Sequence, residues 1–244
     1  MKLLLTSSGI ANRTIESALT RLLGKPISES SALVVPTAIY PFTSGPTMAA
    51  RLIKGDVPTP LTELGWASLG VLELTALPSI GKDVWTSTVR GADALLFWGG
   101  DPVYLSYWIH ESGLVDVLHT LQDTVYVGVS AGAIASASLF AETYGEPRSA
   151  AGRPIAEKTI TLETSRGEVE TLLLTAEGAG LVDFAIIPHF LNERHYAGNP
   201  VNAQQWAAEL PVPVYAIDEQ TAVCVVDGVV EVVSEGEWRL FEPV

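Results

Sequence analysis

The chain has 244 residues, of which 48% are hydrophobic and 17% charged, and this mixture can fill a core and excludes a disordered chain. Lys and Arg total 14 and Asp and Glu total 28, so the formal net charge is -14. Proteins that bind nucleic acid or an anionic membrane need basic patches, so this charge argues against both as partners.

A single cysteine, Cys224, excludes an internal disulfide and a zinc site built from cysteines. It lies in the apolar run Ala222–Val226, which is typical of a buried strand, and we interpret its thiol as structural. The four histidines are not spaced as zinc ligands, so we expect no metal and no other cofactor. No apolar run reaches the ~18 residues of a membrane-spanning helix, and the start resembles a strand more than a signal peptide, so we expect a cytoplasmic protein.

Short apolar runs alternate with helix-like stretches through the first half of the chain. The runs, typical of strands buried on both faces of a sheet, are Leu3–Leu5, Ala32–Val35, Val71–Leu74, Ala94–Phe97 and Val125–Val129. The helices predicted between them are Thr14–Leu23, Asp83–Arg90 and Tyr104–Leu121, the last one interrupted at Gly113. This alternation predicts an α/β fold with a doubly wound, mostly parallel sheet.

The rest of the chain predicts antiparallel additions. Two β-rich runs within Thr159–Leu174 flank Ser165-Arg-Gly167, and two more within Val223–Val233 flank Asp227-Gly228, so each pair predicts a hairpin. Between the hairpins we predict the strands Phe184–Ile187 and Val214–Ile217 and the helix Pro200–Leu210. No linker divides the chain, so we expect one domain over residues 1–244, and the apolar C-terminal hairpin is a candidate homodimer interface.

A candidate nucleophile lies in Gly128-Val-Ser-Ala-Gly132, which follows an apolar strand and precedes a predicted helix, Ala131–Phe140. This pattern between a strand and a helix is typical of a nucleophile elbow, whose tight turn exposes the serine hydroxyl. We therefore predict Ser130 as a nucleophile and the Ala131 N–H as an oxyanion donor. The alternative is an ordinary turn in which Ser130 caps the helix.

A candidate base, His189, directly follows the predicted strand Phe184–Ile187. Ligands of open α/β sheets bind at the carboxyl ends of strands, so His189 and Ser130 can meet and exchange a proton. His195, in the polar loop that follows, is the alternative base. His110 and His119 are interpreted as solvated helix residues.

The acid that orients the histidine is predicted after the strand Val214–Ile217, where Asp218 and Glu219 stand side by side. We favour Glu219, with Asp218 as the alternative. Asp183 lies at the opposite end of the histidine strand, and Glu146 lies in a loop after the elbow helix. The resulting order of serine, histidine and acid differs from that of ordinary α/β-hydrolases and argues against a lipase or esterase.

A second glycine motif, Trp98-Gly-Gly-Asp101, also ends a strand and starts a helix. Glycines let the backbone approach a ligand closely and direct N–H groups at an anion, so we predict the Gly100 N–H as the second oxyanion donor. The alternative is a simple turn with Asp101 as the N-cap of the next helix, and both interpretations can hold together.

These motifs, with Ile187-Pro-His-Phe190 and Asp218-Glu219, follow the order and spacing of peptidase family S51, the serine peptidases that include dipeptidase E and the cyanophycinases. The chain resembles this family over nearly its whole length. The resemblance implies a class I glutamine amidotransferase-like fold with a flavodoxin-like sheet. It also implies Ser130 as nucleophile, His189 as base, Glu219 as the third member and a small peptide as substrate. The related amidotransferases have cysteine at the elbow, so Ser130 argues against glutamine hydrolysis.

Two departures from the family pattern concern the substrate. The family's Gly-Gly-Gly-Asn is Trp98-Gly-Gly-Asp101 here, so we expect Trp98, Gly99 and Asp101 in the substrate site, with the indole narrowing it. Dipeptidase E has arginines after its histidine that can pair with an N-terminal aspartate, whereas here only Arg194 is close by.

The sequence thus predicts a serine exopeptidase that cleaves short peptides, with a preference for an N-terminal aspartate left open. The alternatives are a hydrolase of non-standard or β-linked peptides, in the manner of the cyanophycinases, and a catalytically silent binding protein of the same fold.

Overall fold

The computed structural model of the protein describes residues 1–144, 150–164 and 167–243. The α-helices in these ranges are α1 (Arg13–Leu23), α2 (Gly45–Ile53), α3 (Lys82–Arg90), α4 (Pro102–Glu111), α5 (Leu114–Leu118), α6 (Ala131–Ile134) and α7 (Pro200–Ala207). The strands are β1 (Lys2–Thr6), β2 (Ser31–Val35), β3 (Ser68–Val71), β4 (Ala94–Phe97), β5 (Val125–Val129), β6 (Leu139–Tyr144), β7 (Pro154–Thr164), β8 (Gly167–Glu177), β9 (Ala185–Ile187), β10 (Val214–Ile217), β11 (Thr221–Val226), β12 (Val229–Ser234) and β13 (Trp238–Phe241).

The main sheet has seven strands within the described residues, in the order β12-β11-β1-β5-β4-β2-β3. The five strands from β1 to β3 in this order are parallel, and β11 and β12 extend the sheet as an antiparallel hairpin. Its turn is Asp227-Gly228, and both residues have positive φ, 50° and 78°, as a two-residue hairpin turn requires. The predicted α/β class with a mostly parallel sheet is confirmed.

Helices cover both faces of this sheet. Leu5, Phe97 and Tyr126 point to the face covered by α3 to α6, and the Phe97 and Tyr126 rings stack with centroids 4.3 Å apart. Leu4 and Val127, one residue along their strands, point to the opposite face, which α1 and α2 cover. Two apolar faces on alternate residues are what a doubly wound sheet requires, because each face must be buried against helices.

Two smaller sheets adjoin the main one. One contains β9, β10 and β13, with β9 parallel and β13 antiparallel to β10. The other is antiparallel, in the order β6-β8-β7, and its long β7–β8 hairpin confirms the predicted one, although its turn residues Ser165 and Arg166 lie outside the described residues. A third apolar cluster, with Ile187, Phe190 and Trp206, joins these sheets to α7.

The predicted helix Ala131–Phe140 is wrong beyond its first turn, because α6 ends at Ile134 and Leu139 begins β6. The carbonyls that would continue the helix are taken by another segment: Ala179 N–H donates to Ala135 O at 2.8 Å, and the next two N–H groups bond to the carbonyls of residues 136 and 137. Tertiary hydrogen bonds therefore override the helical preference of an alanine-rich stretch.

The predicted strand Val71–Leu74 is also wrong at its end, because β3 stops at Val71 and a 3₁₀ turn begins at Leu74. The Glu73 carboxylate caps this turn by accepting from the Thr75 N–H at 3.1 Å, and the Leu74 N–H donates to the hydroxyl of Thr37. By contrast, the predicted break at Gly113 is confirmed, since its left-handed φ of 72° separates α4 from α5.

No helix in the described ranges is both long and apolar enough to cross a membrane.

Candidate active site

Ser130 occupies a strained turn between β5 and α6. Its backbone has φ 50° and ψ −110°, a conformation that a residue with a side chain rarely adopts. The Ser130 N–H donates to Thr6 O at 2.9 Å, and its carbonyl accepts from the N–H groups of Ala133 and Ile134. These bonds tie the turn to β1 and α6, and the hydroxyl is left at the edge of the sheet.

The glycines of the G-x-S-x-G pattern allow this turn to close. A Cβ on Gly132 would lie 2.2 Å from Phe97 O, and one on Gly128 would lie 2.7 Å from Gly132 O. Neither distance is possible for real atoms, so the motif is required by the approach of α6 to the ends of β4 and β5.

A chain of hydrogen bonds connects Ser130, His189 and Glu219. Ser130 Oγ lies 3.0 Å from His189 Nε2, and His189 Nδ1 lies 3.0 and 3.2 Å from the two oxygens of Glu219. The tautomer that donates from Nδ1 to the carboxylate leaves Nε2 free to accept the serine proton. The predicted nucleophile, base and acid are thus brought together.

His189 and Glu219 follow β9 and β10, which belong to the small sheet and not to the sheet that carries Ser130. Ser7, just after β1, links the two: its hydroxyl accepts from the His189 N–H at 3.0 Å and donates to Ile217 O at 2.9 Å. His189 itself has a positive φ of 63°, so its position depends on these bonds.

The Glu219 carboxylate is held by more than the histidine. Ser8 Oγ donates to its Oε2, and Asn192 Nδ2 donates to its Oε1 at 2.6 Å. Burial raises the pKa of Glu219, but the hydrogen bonds from His189, Ser8 and Asn192 outweigh burial and lower it to about 2. The carboxylate is therefore ionised at any pH near neutrality.

Asp218, the alternative acid, serves a different purpose. Its Oδ1 accepts from the Thr221 hydroxyl at 2.6 Å, and its Oδ2 accepts from the Glu237 N–H at 2.6 Å. A Cβ on Gly236 would collide with this carboxylate. Asp218 thus fastens the segment before β13 to the start of β11 and does not contact the histidine.

The second glycine motif borders Ser130. A Cβ on Gly99 would lie 3.4 Å from the Ser130 Cβ. Gly100 has a φ of 144°, and a Cβ there would lie 2.2 Å from Ala38 O. In the described part of the chain, neither the Gly100 N–H nor the Ala131 N–H has a hydrogen-bond acceptor. Both groups are thus available to a ligand beside the serine hydroxyl.

Asp101 is the N-cap of α4, since its Oδ1 accepts from the Tyr104 N–H at 2.9 Å. The same oxygen accepts from the Tyr144 hydroxyl at 2.9 Å. Asp101 also lines the cleft described next, so it caps α4 and borders the cleft at the same time, while its place in a substrate site stays a prediction.

Ser130 opens into a cleft of about 490 Å³, a size typical of small-ligand sites. The residues around it are Phe42, Gly100, Asp101, Pro102, Ser130, Glu142, Thr143, Tyr144, Pro188, His189, Arg194, His195, Tyr196 and Trp206. A second cavity, of about 500 Å³, adjoins the cleft and shares Arg194, His195 and Tyr196 with it. Among the described residues, the cleft is thus flanked by one arginine and two carboxyl groups in addition to the histidines.

Two predicted roles do not match these positions. The Trp98 side chain is 7% exposed and packs in the apolar cluster beneath α1 and α2, so it is absent from the cleft. It continues the alternation of β4, which turns residue 98 to the face opposite Phe97.

His110 and His119 are exposed as expected, but each ring Nε2 lies 2.9 Å from a backbone carbonyl, of Gly178 and Ala179 respectively.

Sequence reasoning missed several residues of the site. Ser7, Ser8, Asn192 and Glu142 were not identified, and His195, considered only as an alternative base, stacks against the ring of His189. Ser7 and Ser8 had a usable signal, because they follow directly after a buried strand whose neighbour carries the nucleophile. Glu146, one of the acids considered, lies outside the described residues.

Within the described ranges, no group of three or more His, Cys, Asp or Glu side chains could hold a metal ion. Cys224 is buried in β11, and burial raises the pKa of its thiol to about 11, as expected for an unreactive thiol.

Residues 3–233 match the model of peptidase family S51. No curated protein matches the chain. Among solved structures, a peptidase E candidate from Listeria monocytogenes EGD-e is similar, with 17% identity, a TM-score of 0.59 and coverage of 96% of this chain and 98% of that one. A peptidase from an acI-B1 Actinobacterium is 19% identical, with a TM-score of 0.63 and coverage of 99% and 90%. At such identities these two likenesses show the fold.

Proposed function

The chain belongs to peptidase family S51 and is a serine peptidase, and from this premise we propose that it is an exopeptidase that hydrolyses short peptides through Ser130, His189 and Glu219. Membership of the family confirms the resemblance found in the motifs. The observation that carries the proposal is the continuous hydrogen-bonded chain from the serine hydroxyl to the carboxylate.

The proposed reaction is acyl transfer in two steps. His189 Nε2, 3.0 Å from Ser130 Oγ, removes the hydroxyl proton while the oxygen attacks the scissile carbonyl. The imidazolium then gives this proton to the leaving amine, and the peptide C–N bond breaks to leave an acyl-enzyme. Water, deprotonated by the same nitrogen, attacks the ester and releases the acid and the free serine. Glu219 stays ionised and stabilises the imidazolium.

The N–H groups of Gly100 and Ala131 are proposed to stabilise the tetrahedral oxyanion. Their positions beside Ser130 and their lack of acceptors in the described part of the chain support this role. Donors fixed in place before the reaction need no reorganisation as charge develops, which makes such groups effective.

The proposed substrates are dipeptides or peptides only slightly longer. The cleft volume of about 490 Å³ supports a small ligand, and the adjoining cavity offers room for a leaving residue. Arg194 borders both spaces and is proposed to bind a substrate carboxylate, with Gly99 and Asp101 shaping the wall near the serine. A preference for N-terminal aspartate would depend on Arg194, the one Lys or Arg at the cleft among the described residues.

The test is a dipeptide library assay combined with a fluorophosphonate probe that labels activated serines. We expect labelling at Ser130, and turnover of dipeptides that the variant Ser130→Ala loses by roughly 10⁴-fold or more. Ser138→Ala is the matched control, since Ser138 lies in the same segment and makes no side-chain hydrogen bond in the described structure. β-Asp-Arg in the same panel identifies a hydrolase of β-linked peptides. Absence of both labelling and turnover would indicate a silent binding protein.

A further inference from the structure

Glu142 is a carboxyl group that the proposed reaction leaves unused. It lies on β6, opposite Leu174, and its side chain is part of the same cleft as Ser130. Its Oε1 accepts from the Thr143 N–H at 2.7 Å, whereas Oε2 has no donor among the described residues. Glu142 is only partly exposed, and it lines the cleft.

No cation compensates this carboxyl group in the described part of the chain. None of the ion pairs formed there includes Glu142, and the charged group that acts on it electrostatically is another carboxylate of the cleft, Asp101. Burial raises the pKa of Glu142 to about 7, and Asp101 adds to the increase. A carboxyl group that is costly to ionise and lies in a catalytic cleft is typical of a functional site, where a ligand supplies the missing charge.

We propose that Glu142 recognises the free α-ammonium group of the substrate and thereby restricts the cleft to the amino-terminal end of a peptide. The inference rests on the proposed function, which supplies the substrate class, and adds the direction in which the peptide lies. The ammonium group meets Glu142 inside the cleft, the first carbonyl meets Ser130, and the remaining part of the peptide extends toward Arg194 and the adjoining cavity.

The experiment compares matched substrates on wild type, Glu142→Gln and a control. The best dipeptide of the library is assayed beside its N-acetyl analogue, which keeps the scissile bond and lacks the positive charge. Glu142→Gln keeps the size of the side chain and removes its charge. Glu170→Gln is the control, because Glu170 is exposed on the same sheet and does not line the cleft.

We expect the wild type and Glu170→Gln to prefer the free dipeptide, and Glu142→Gln to lose roughly 10- to 100-fold in kcat/KM on that substrate alone. The N-acetyl analogue should be cleaved equally slowly by all three proteins. Equal cleavage of both substrates by the wild type, or an equal loss on both in Glu142→Gln, would overturn the inference.

Fluorophosphonate labelling of Ser130 distinguishes failure of the proposed peptidase function from failure of the role proposed for Glu142. If Ser130 is labelled and peptides are cleaved without regard to the free amine, the proposed function stands and only the assignment of Glu142 fails. If Ser130 is not labelled and no peptide is cleaved, the proposed function fails, and this inference fails with it.

Discussion

The imidazole rings of His189 and His195 stack, with centroids 4.0 Å apart and planes inclined by 17°. Burial lowers the pKa of His195, and the neighbouring His189 lowers it further. Glu219 acts in the opposite direction, but burial and His189 outweigh it, so a positive charge on His195 is disfavoured beside the proposed base. A flat ring stacked against His189 limits the orientations that the base can adopt, which favours the one facing Ser130.

His195→Ala should therefore lower kcat by roughly 2- to 10-fold, the range expected for loss of one aromatic contact. KM should change less, because the ring orients His189 and the substrate has other partners. His195→Phe keeps a flat ring without nitrogen atoms and should retain most of the activity. Steady-state kinetics on the best dipeptide is the measurement. An equally large loss in His195→Phe would mean that the imidazole acts through its nitrogens.

Glu219→Gln should lower kcat by roughly 10³- to 10⁴-fold while the fold is kept, because the amide can occupy the same space without stabilising the imidazolium. The pKa of Glu219, about 2, implies that this carboxylate does not titrate in the acid limb of the pH–rate profile. Glu237→Gln, an exposed residue in the nearby turn, is the control. Asp218→Asn should lower the melting temperature and leave kcat nearly unchanged. A large loss of kcat with an unchanged melting temperature would instead make Asp218 the orienting acid.

Glu142→Gln should change the pH dependence of stability. The pKa of Glu142 is about 7 in the folded chain against an ordinary 4.5, so the folded state binds the proton more tightly. This contribution is fully present below pH 4.5 and is lost as the pH rises through 7. As the pH rises between these values, the wild type should lose stability that Glu142→Gln keeps, so the melting temperature of the variant should rise relative to that of the wild type. The corresponding difference in the free energy of unfolding is at most about 3 kcal/mol. A constant difference would contradict the raised pKa.

Gly132→Ala should destabilise the fold by about 1–3 kcal/mol, because its Cβ would overlap the Phe97 carbonyl at 2.2 Å. The clash would also move the elbow, so activity should fall with stability. Gly81→Ala is the matched control, since its Cβ would meet only Val84, at an ordinary 3.8 Å. Denaturant unfolding of the two variants measures the free energy of unfolding of each. Equal stability of the two variants would show that α6 can shift away from β4 at little cost.

The sequence predicted the parallel core because its strands are short, apolar and separated by amphipathic helices. The same local logic located Ser130, His189 and Glu219, since each directly follows an apolar run. It could not assign β9 and β10 to a separate sheet, because strand partners are chosen by contacts between segments far apart in the chain. The position of the serine could be predicted, while the framework that brings the histidine to it could not.

The side on which a residue lies was predicted less well than its place along the chain. The motif Trp98-Gly-Gly-Asp101 suggested an indole in the substrate site, yet the alternation of Ala94, Leu96 and Trp98 along β4 turns it into the core. Every residue from Ala94 to Trp98 is apolar, so the sequence did not show which face residue 98 would join. The early end of α6 could not be predicted either, because it depends on the N–H groups of residues 179–181, which belong to a distant segment.

Because the proposed triad is divided between two sheets, catalytic activity depends on the position of one sheet relative to the other. Ser130 follows a strand of the large sheet, and His189 and Glu219 follow strands of the small one. The hydroxyl of Ser7 connects the two sheets through its hydrogen bonds to the His189 N–H and the Ile217 carbonyl. Slippage of the small sheet by even an ångström would silence the serine while nearly all secondary structure survived. On gentle heating, fluorophosphonate labelling should then disappear before the circular dichroism changes. Activity would thus be lost when the small sheet shifts against the large one, at a temperature below that of global unfolding.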